Sequence, residues 1–171
     1  MIHPIVKTII VDGFFTSEEA IRLTNITYNL IYYPTEFGEE IPNFNMVAED
    51  SHEIFSKILN TNIKIDENRS GVFRKPSNLI HFESFENLNE WVFMVALQPS
   101  TLNLFEHKTG VDNALKEYKF NYRNLFEWNL QINHLLNPGQ GILFRPWLFH
   151  SFDTGLIQIF RLTEHDNILS D

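Results

Sequence analysis

From Asn62 onward the sequence is divided into short segments rich in β-branched and aromatic residues, separated by polar and turn-forming stretches. Short segments of this composition are typical of β-strands. We predict strands at Ile63–Ile65, Gly71–Arg74, Leu79–Glu83, Trp91–Leu97, Leu102–His107, Phe126–Leu136, Gly141–Phe144 and Leu156–Thr163. The polar insertion between them, from Lys108 to about Asn124, is predicted to be partly helical.

The first sixty residues have a different pattern. Ile5–Val11 is rich in Ile and Val and predicts one strand. Thr16 and Glu19 have the spacing of a capping box, which predicts a helix running to about Leu30. Val47–Leu59 has apolar residues at helical spacing and predicts a second helix. Helices followed by many short strands favour helices packed against a sandwich or barrel of antiparallel strands.

The length and composition predict one globular domain. The 171 residues are 43% hydrophobic and include 16 Phe, enough to bury a substantial core. We see no internal repeat or interdomain linker, so residues 1–171 are expected to form a single domain. In it, the N-terminal strand and helices (about residues 1–60) pack on a β-barrel core (about residues 62–165).

Charge and cysteine content narrow the classes of function. The formal net charge of −9 argues against a strong hold on nucleic acid, which draws on clustered Lys and Arg. There is no cysteine, which excludes disulfides and thiol catalysis and fits a cytoplasmic location. The longest apolar run, Trp91–Leu97, is too short to span a bilayer, so we expect a cytoplasmic protein without a membrane partner.

Three residues make a candidate metal site. Alternate residues of a strand face the same side, so His81 and Glu83 are expected to point together into a barrel. His150, which follows the strand after the Pro138-Gly139 turn, is the best third ligand. Two histidines and one carboxylate form the facial set that leaves coordination positions open on Fe(II).

Arg161 is a candidate anion-binding residue beside this site. It lies in the next β-type segment, two residues before Thr163, so both side chains can face the same interior. A guanidinium can hold a carboxylate by two charge-assisted hydrogen bonds, and a neighbouring hydroxyl can add a third. A buried arginine needs an anionic partner, so the pair predicts a site for an acidic co-substrate.

In this order the residues resemble the 2-oxoglutarate/Fe(II)-dependent oxygenases, close to the prolyl-4-hydroxylase-like branch. The resemblance spans roughly Phe73 to Thr163 and consists of His81-Phe-Glu83, the Pro138-Gly139 turn, His150 and Arg161-Leu-Thr163. It implies a double-stranded β-helix, the jelly-roll or cupin-like barrel. It also implies iron on the two histidines and the glutamate, with 2-oxoglutarate on the arginine and the threonine. The sequence departs from the family at Glu83, where Asp is usual, and at Asn78, where a Tyr is often found.

The implied activity is a dioxygenase reaction that uses O₂ and 2-oxoglutarate. It hydroxylates a C–H bond of a protein side chain or a small metabolite and releases succinate and CO₂. An alternative is a non-catalytic or metal-free jelly roll, a binding or structural protein that has kept the barrel without turnover. The sequence leaves the prime substrate and the oligomeric state open.

Each candidate residue also has a purely structural interpretation. His81 and Glu83 can be a surface pair on a sheet, and Arg161 can belong to an ordinary ion pair. His107 and His134 are rival ligands, which we rank below His150 because they lack its position after the Pro-Gly turn. Arg145 is expected to be a solvated surface charge.

Overall fold

The computed structural model describes residues 2–35, 38–42, 51–74, 78–153 and 155–165. The strands are β1 (Thr8–Val11), β2 (Tyr33–Thr35), β3 (Gly38–Pro42), β4 (Asn62–Arg74), β5 (Glu90–Ala96), β6 (Ser100–His107), β7 (Trp128–Leu136), β8 (Gly141–Phe144), β9 (His150–Asp153) and β10 (Leu156–His165). The helices are α1 (Ser17–Tyr28) and α2 (Ser51–Leu59), with a 3₁₀ turn at Leu125–Glu127. None of the helices in these ranges is long and apolar enough to cross a membrane.

Within the described ranges the strands form two antiparallel sheets. The larger has seven strands in the order β1-β8-β5-β10-β4-β3-β2, and the smaller has three in the order β7-β6-β9. From β4 onward the chain passes repeatedly between the sheets, and a buried apolar layer contributed by both lies between them. This is a jelly roll, and the predicted fold class is confirmed.

The N-terminal elements cover the outer face of the larger sheet. Thr16 caps α1, because its side-chain hydroxyl accepts a hydrogen bond from the backbone N–H of Glu19 at 3.1 Å. Phe14 and Phe55, the latter on α2, stack at 5.3 Å and contact Phe93 of β5 edge-on. The large sheet is therefore buried on both faces, as its fully buried strand β5 requires.

Several element boundaries differ from the predictions. Of the predicted second helix, Ser51–Leu59 is helical, and its first residues from Val47 lie outside the described residues. The predicted strands at 63–65 and 71–74 are parts of the continuous strand β4. The helix predicted within the 108–124 insertion is wrong, because the described chain there has turns and one β-bridge, from Asn113 to Leu148.

The predicted strand Leu79–Glu83 is also reduced. Among the described residues, its only β-pairing is one isolated bridge, between His81 and His150. The segment lies beside β9, at the edge of the smaller sheet, and a backbone hydrogen bond from Glu83 to Pro146 also holds it there. The segment that carries two of the predicted ligands is thus attached to the barrel at a few points only.

Candidate metal centre

A pair of backbone hydrogen bonds brings the two histidines together. The N–H of His81 donates to the carbonyl of His150 and the N–H of His150 donates to the carbonyl of His81, each at 2.9 Å. The N–H of Glu83 donates to the carbonyl of Pro146 at 2.8 Å, which fixes the segment two residues further on. The bridge sets the two imidazole rings side by side, with centroids 4.3 Å apart.

Both imidazoles are oriented by the backbone two residues before them. His81 Nδ1 lies 2.9 Å from the carbonyl oxygen of Leu79, and His150 Nδ1 lies 2.7 Å from that of Leu148. A carbonyl oxygen can only accept a hydrogen bond, so each Nδ1 carries the proton. When a ring is neutral, this leaves its Nε2 lone pair available, the arrangement common in metal-binding histidines.

Glu83 completes a group of three ligand atoms. Its Oε1 lies 3.3 Å from His81 Nε2 and 3.4 Å from His150 Nε2. One potential ligand atom from each of the three residues lies within 4.8 Å of the other two. The structure therefore gathers the predicted His81, Glu83 and His150 at one point, with the donor types of a facial two-histidine, one-carboxylate site.

The local electrostatics favour the protonation states that a metal needs. Burial alone would raise the pKa of the Glu83 carboxyl, but the rings of His150 and His81, whose Nε2 atoms lie against its Oε1, outweigh burial and hold that pKa far below its ordinary value. Complete burial, reinforced by the neighbouring His81, lowers the pKa of His150. An ionised carboxylate and a neutral imidazole are the forms that coordinate metal ions.

Aromatic side chains enclose the group on the barrel side. The ring of Phe144 lies 4.8 Å from that of His150, and the ring of Phe152 lies 5.2 Å from it. Phe152 also lies 5.7 Å from the ring of His81. These rings exclude water from one side of the ligand atoms and limit the volume available to a bound molecule.

A small cavity of about 70 Å³ lies beside Glu83 and is also lined by two arginines. Its lining residues are Arg69, Phe73, Glu83, Phe152, Ile159 and Arg161. A water-sized group occupies on the order of 10–15 Å³ of such a volume, so the cavity admits a chain of about five small groups. Its lining combines three charged side chains with three apolar ones.

Arg161 also lines this cavity and is almost fully buried. Its Nη2 donates to the carbonyl of Ser84 at 2.5 Å, next to Glu83 in the chain. Its Nε is buried and has no hydrogen-bond partner among the described residues. A buried donor without a partner is destabilising, so this atom marks a place for an acceptor from a ligand.

Thr163 lies further along β10 than Arg161. It is half-buried and pairs in register with Glu90 on one side and Lys64 on the other. The residues that line the cavity do not include it. Its predicted part in holding a co-substrate therefore stays a prediction.

The rival histidines lie elsewhere. His107 is buried and stacks on Phe120 at 3.9 Å between ring centroids, with Nδ1 2.8 Å from the Thr109 hydroxyl. His134 is half-buried on β7, and its Nε2 has no hydrogen-bond partner in the described part of the chain. Neither joins the His81, Glu83 and His150 group.

Two larger cavities lie beside the ligand-bearing segment. One of about 410 Å³ is lined by residues 79–82 and 120–123, which include His81 and Tyr122. The other, of about 530 Å³, shares Phe82 and Tyr122 with the first. The 108–124 insertion thus walls a groove that is large enough for a metabolite or a peptide side chain.

Sequence reasoning missed three charged residues. Arg145, predicted to be solvated, is completely buried, and its guanidinium lies 3.5 Å from the ring centre of Trp91. The prediction for Arg145 was wrong because its N–H groups donate to carbonyls of both the N-terminal segment and residues 88–90, which hold the side chain inside the protein. Arg69 and the buried Glu90 were not singled out either, because an Arg or a Glu alone gives no motif.

Comparisons with known proteins show what the fold resembles. HygX from Streptomyces hygroscopicus, solved with nickel and 2-oxoglutarate bound, aligns with a TM-score of 0.59 at 9% identity over 92% of this chain and 83% of that one. SnoN, a non-heme alpha-ketoglutarate-dependent epimerase from nogalamycin biosynthesis, aligns with 0.58 at 10% identity over 92% and 78%. An oxidoreductase of the 2OG-Fe(II) oxygenase family from Burkholderia pseudomallei aligns with 0.56 at 12% identity over 94% and 85%.

Sequence comparison gives no such link. No protein-family model matches the chain. No curated protein matches it either. At this identity the structural matches establish the fold, which is that of these oxygenase structures, over nearly the whole chain.

Proposed function

We propose that this protein is a 2-oxoglutarate- and Fe(II)-dependent dioxygenase that hydroxylates a C–H bond and releases succinate and CO₂. The observation that carries the proposal is the meeting of His81 Nε2, His150 Nε2 and Glu83 Oε1 beside a cavity that Glu83 and Arg161 both line. The fold shared with structures described as 2-oxoglutarate enzymes supports it.

The residues fit the two groups that the proposal requires. Two neutral imidazoles and one carboxylate suit Fe(II) and leave coordination positions for other ligands. The unpartnered Nε of Arg161 suits a carboxylate in a small cavity with apolar side chains in its lining. A five-carbon acid with a carboxylate at each end could bind the metal ion with one and Arg161 with the other.

Each residue has a defined part. His81 and His150 would hold the iron through Nε2, with Leu79 and Leu148 fixing their rings, and Glu83 would supply the third ligand and a negative charge. The bound iron would supply the activation of O₂ that is coupled to oxidation of the co-substrate. Arg161 would bind the distal carboxylate of 2-oxoglutarate.

The prime substrate would approach through the groove beside His81. That groove is lined by aromatic side chains, Phe82, Phe120 and Tyr122 among them, and it borders the segment that carries two of the ligands. It supports either a protein side chain or a small metabolite as substrate. Succinate formed without a prime substrate should be unaffected by Phe82→Ala, whereas the stimulation of that rate by a true substrate should decrease.

Anaerobic addition of Fe(II) and 2-oxoglutarate tests the proposal directly. We expect a visible metal-to-ligand charge-transfer band, and then stoichiometric succinate when oxygen is admitted. Arg161→Ala should retain iron but need far more 2-oxoglutarate to develop the band. A wild-type protein that retains no iron and gives no band would instead be a metal-free jelly roll with a binding or structural role.

A further inference from the structure

Glu90 is a buried carboxylate whose two oxygens have separate partners. Its side chain is 2% exposed. Oε2 accepts hydrogen bonds from the backbone N–H groups of Glu86 at 2.5 Å and Asn87 at 2.7 Å. Because these bonds fix the carboxylate in place, its other oxygen is a rigid anchor for whatever it binds.

The other oxygen of Glu90 joins two arginines. Oε1 lies 2.9 Å from Nη2 of Arg69 and 3.6 Å from Nη2 of Arg161. Arg69 is held on its opposite side by Asp66, whose Oδ2 lies 2.7 Å from its Nε. Two guanidinium groups, which would otherwise repel each other, are thus held together in the lining of the cavity.

An interruption of the β4 ladder brings Arg69 to this position. Ile159 of β10 pairs with Gly71, but Arg161, two residues on, pairs with Asp66, so the intervening residues of β4 bulge out of register. The Ser70 hydroxyl secures the bulge by accepting from the N–H of Arg161 at 3.2 Å and donating to the carbonyl of Asp66 at 2.7 Å. A bulge of this kind re-aims a side chain next to a functional site.

The two arginines leave several donors for a ligand. Arg69 uses Nε and Nη2 for Asp66 and Glu90, and Arg161 uses Nη2 for Ser84 while its Nε is unpartnered. A carboxylate can accept up to about four hydrogen bonds. One carboxylate in the cavity can therefore accept hydrogen bonds from both guanidinium groups.

We propose that Arg69 binds the distal carboxylate of the co-substrate together with Arg161, and that Glu90 is the positioning residue that holds both. The pair makes the pocket selective for dianionic over monoanionic 2-oxo acids. This inference rests on the proposed function, because it takes the cavity beside the metal ligands as the co-substrate site. It adds a second cation and an anchor to that site.

The test compares two ligands of equal carbon number, 2-oxoglutarate and 2-oxovalerate, which lacks the distal carboxylate. Calorimetric titration of the Mn(II)-loaded protein without oxygen gives their affinities in the absence of turnover. Arg69→Met should weaken binding of 2-oxoglutarate by about 10- to 100-fold, the loss expected for a charge-assisted hydrogen bond in a buried site, and leave 2-oxovalerate unchanged. Arg69→Gln, which keeps a donor for Glu90, should weaken it similarly.

Glu90→Gln tests the positioning role. It should raise the 2-oxoglutarate Kd and KM while leaving Mn(II) affinity and kcat at saturating co-substrate near the wild-type values. Arg74→Met is the matched control on the same strand, because Arg74 pairs with Glu39 and lies 4.0 Å from the ring centre of Tyr32, outside the cavity lining. It should bind 2-oxoglutarate like the wild type.

The outcomes separate this inference from the proposed function. Wild-type affinity for 2-oxoglutarate in Arg69→Met, or in Arg69→Gln if the Met variant does not fold, would overturn the role of Arg69 and leave the dioxygenase proposal standing. An equal loss for 2-oxovalerate would also overturn it, because the effect would not depend on the distal carboxylate. A wild-type protein that binds Mn(II) but neither acid would overturn both.

Discussion

Glu83 is the residue on which the proposed metal site depends most. It is the sole anionic member of the three, and its Oε1 lies 3.3 Å and 3.4 Å from the two imidazole nitrogens. The longer glutamate reaches this point from a segment held by one β-bridge. An aspartate here would withdraw the carboxylate by about one C–C bond length, ~1.5 Å.

Substitution of Glu83 should lower metal affinity in a graded way. Removing a residue that only hydrogen-bonds to a metal ligand weakens metal binding about 10- to 100-fold. Glu83→Gln removes a ligand charge and should weaken metal binding by more than this, whereas Glu83→Asp should weaken it by an amount within this range. Competition with a chromophoric chelator under nitrogen measures both. Glu86→Gln, an exposed site three residues on, is the control. Undiminished metal binding by Glu83→Gln would remove Glu83 from the ligand set.

Arg145 has a structural role, although a charged side chain is usually found at the surface. Its guanidinium donates to the carbonyls of Ile2 and Val6 at 3.0 Å, and of Glu90 at 3.2 Å. Burial lowers its pKa to about 10, although the nearby Glu164 opposes this, so the group stays charged at neutral pH. Arg145 therefore ties the N-terminal segment to the start of β5.

Removal of this group should destabilise the protein strongly. Arg145→Met removes the hydrogen bonds donated to several carbonyls and leaves the buried Glu164 without its cationic neighbour, and we expect a loss of about 3–5 kcal/mol in the free energy of unfolding. Urea denaturation followed by tryptophan fluorescence measures it. Arg22→Met, at an exposed position of α1, should change stability by less than about 0.5 kcal/mol. Equal midpoints for the two variants would contradict the assignment.

Motif residues and anchoring residues differ in how far the sequence predicts them. His81, Glu83 and His150 were predicted to meet because spacing and order carry the information, and the structure brings them together. Arg145 could not be predicted as buried, because its partners are backbone carbonyls, which have no sequence signature. The role of Glu90 could not be predicted from the sequence either, because it depends on a bulge in another strand, β4.

The turn between β7 and β8 contains a glycine, Gly139, at a position where the backbone leaves no room for a side chain. Gly139 has φ +90°, and a Cβ there would lie 2.2 Å from the backbone oxygen of Phe15. Its N–H donates to the carbonyl of Ala96 at 2.8 Å, and its carbonyl accepts from the N–H of Phe15 at 3.1 Å. The turn therefore joins β5 to the N-terminal segment at close range.

Gly139→Ala should be markedly destabilising. The substitution combines the left-handed backbone conformation, about 1–2 kcal/mol, with a steric clash that forces the N-terminal segment away. Gly13 provides the comparison, because it also has positive φ, +65°, but nothing lies within 4 Å of an added Cβ. Thermal unfolding should show a much larger fall in Tm for Gly139→Ala than for Gly13→Ala. Equal falls in Tm for the two variants would mean that the clash at Gly139 is relieved at no cost in stability.

The elements that the sequence predicts least well are those around the site. Strand β8 was predicted with its observed bounds, because its four residues are all buried and turns delimit it. Leu79–Glu83 has the alternation of a strand but pairs with a strand at one residue only. The backbone N–H of Glu83 donates instead to Pro146, which lies in a loop. In the 108–124 insertion, aromatic stacking such as Tyr118 on Phe120 takes the place of the predicted helix.

At the scale of the whole molecule, carboxylates determine the response to acid. Burial opposes ionisation of Glu90 and Asp112, but hydrogen bonds from backbone N–H groups, Arg69 and Lys7 leave both pKa values lowered. A hydrogen bond from Arg69 also lowers the pKa of Asp66. Burial raises the pKa of Glu40, which acts in the opposite direction.

Stability should therefore decrease on acidification. A group whose pKa is lower in the folded state binds fewer protons there than in the unfolded chain, so its stabilisation is complete above the ordinary value of 4.5 for Glu90 and is lost as the pH falls below it. Denaturation midpoints between about pH 7 and about pH 3 should follow this course. Glu90→Gln should flatten the profile, whereas an unchanged slope would show that Glu90 does not contribute.

The bridge between His81 and His150 has a consequence for how the protein matures. The third ligand lies 67 residues beyond Glu83 in the chain, so a growing polypeptide cannot assemble the site until β9 has been made and has joined the smaller sheet. Loading would then have to follow the formation of β9. Once bound, the ion would fasten a segment that a single β-bridge attaches to the sheet, so the metal would stabilise the fold as well as serve the activity.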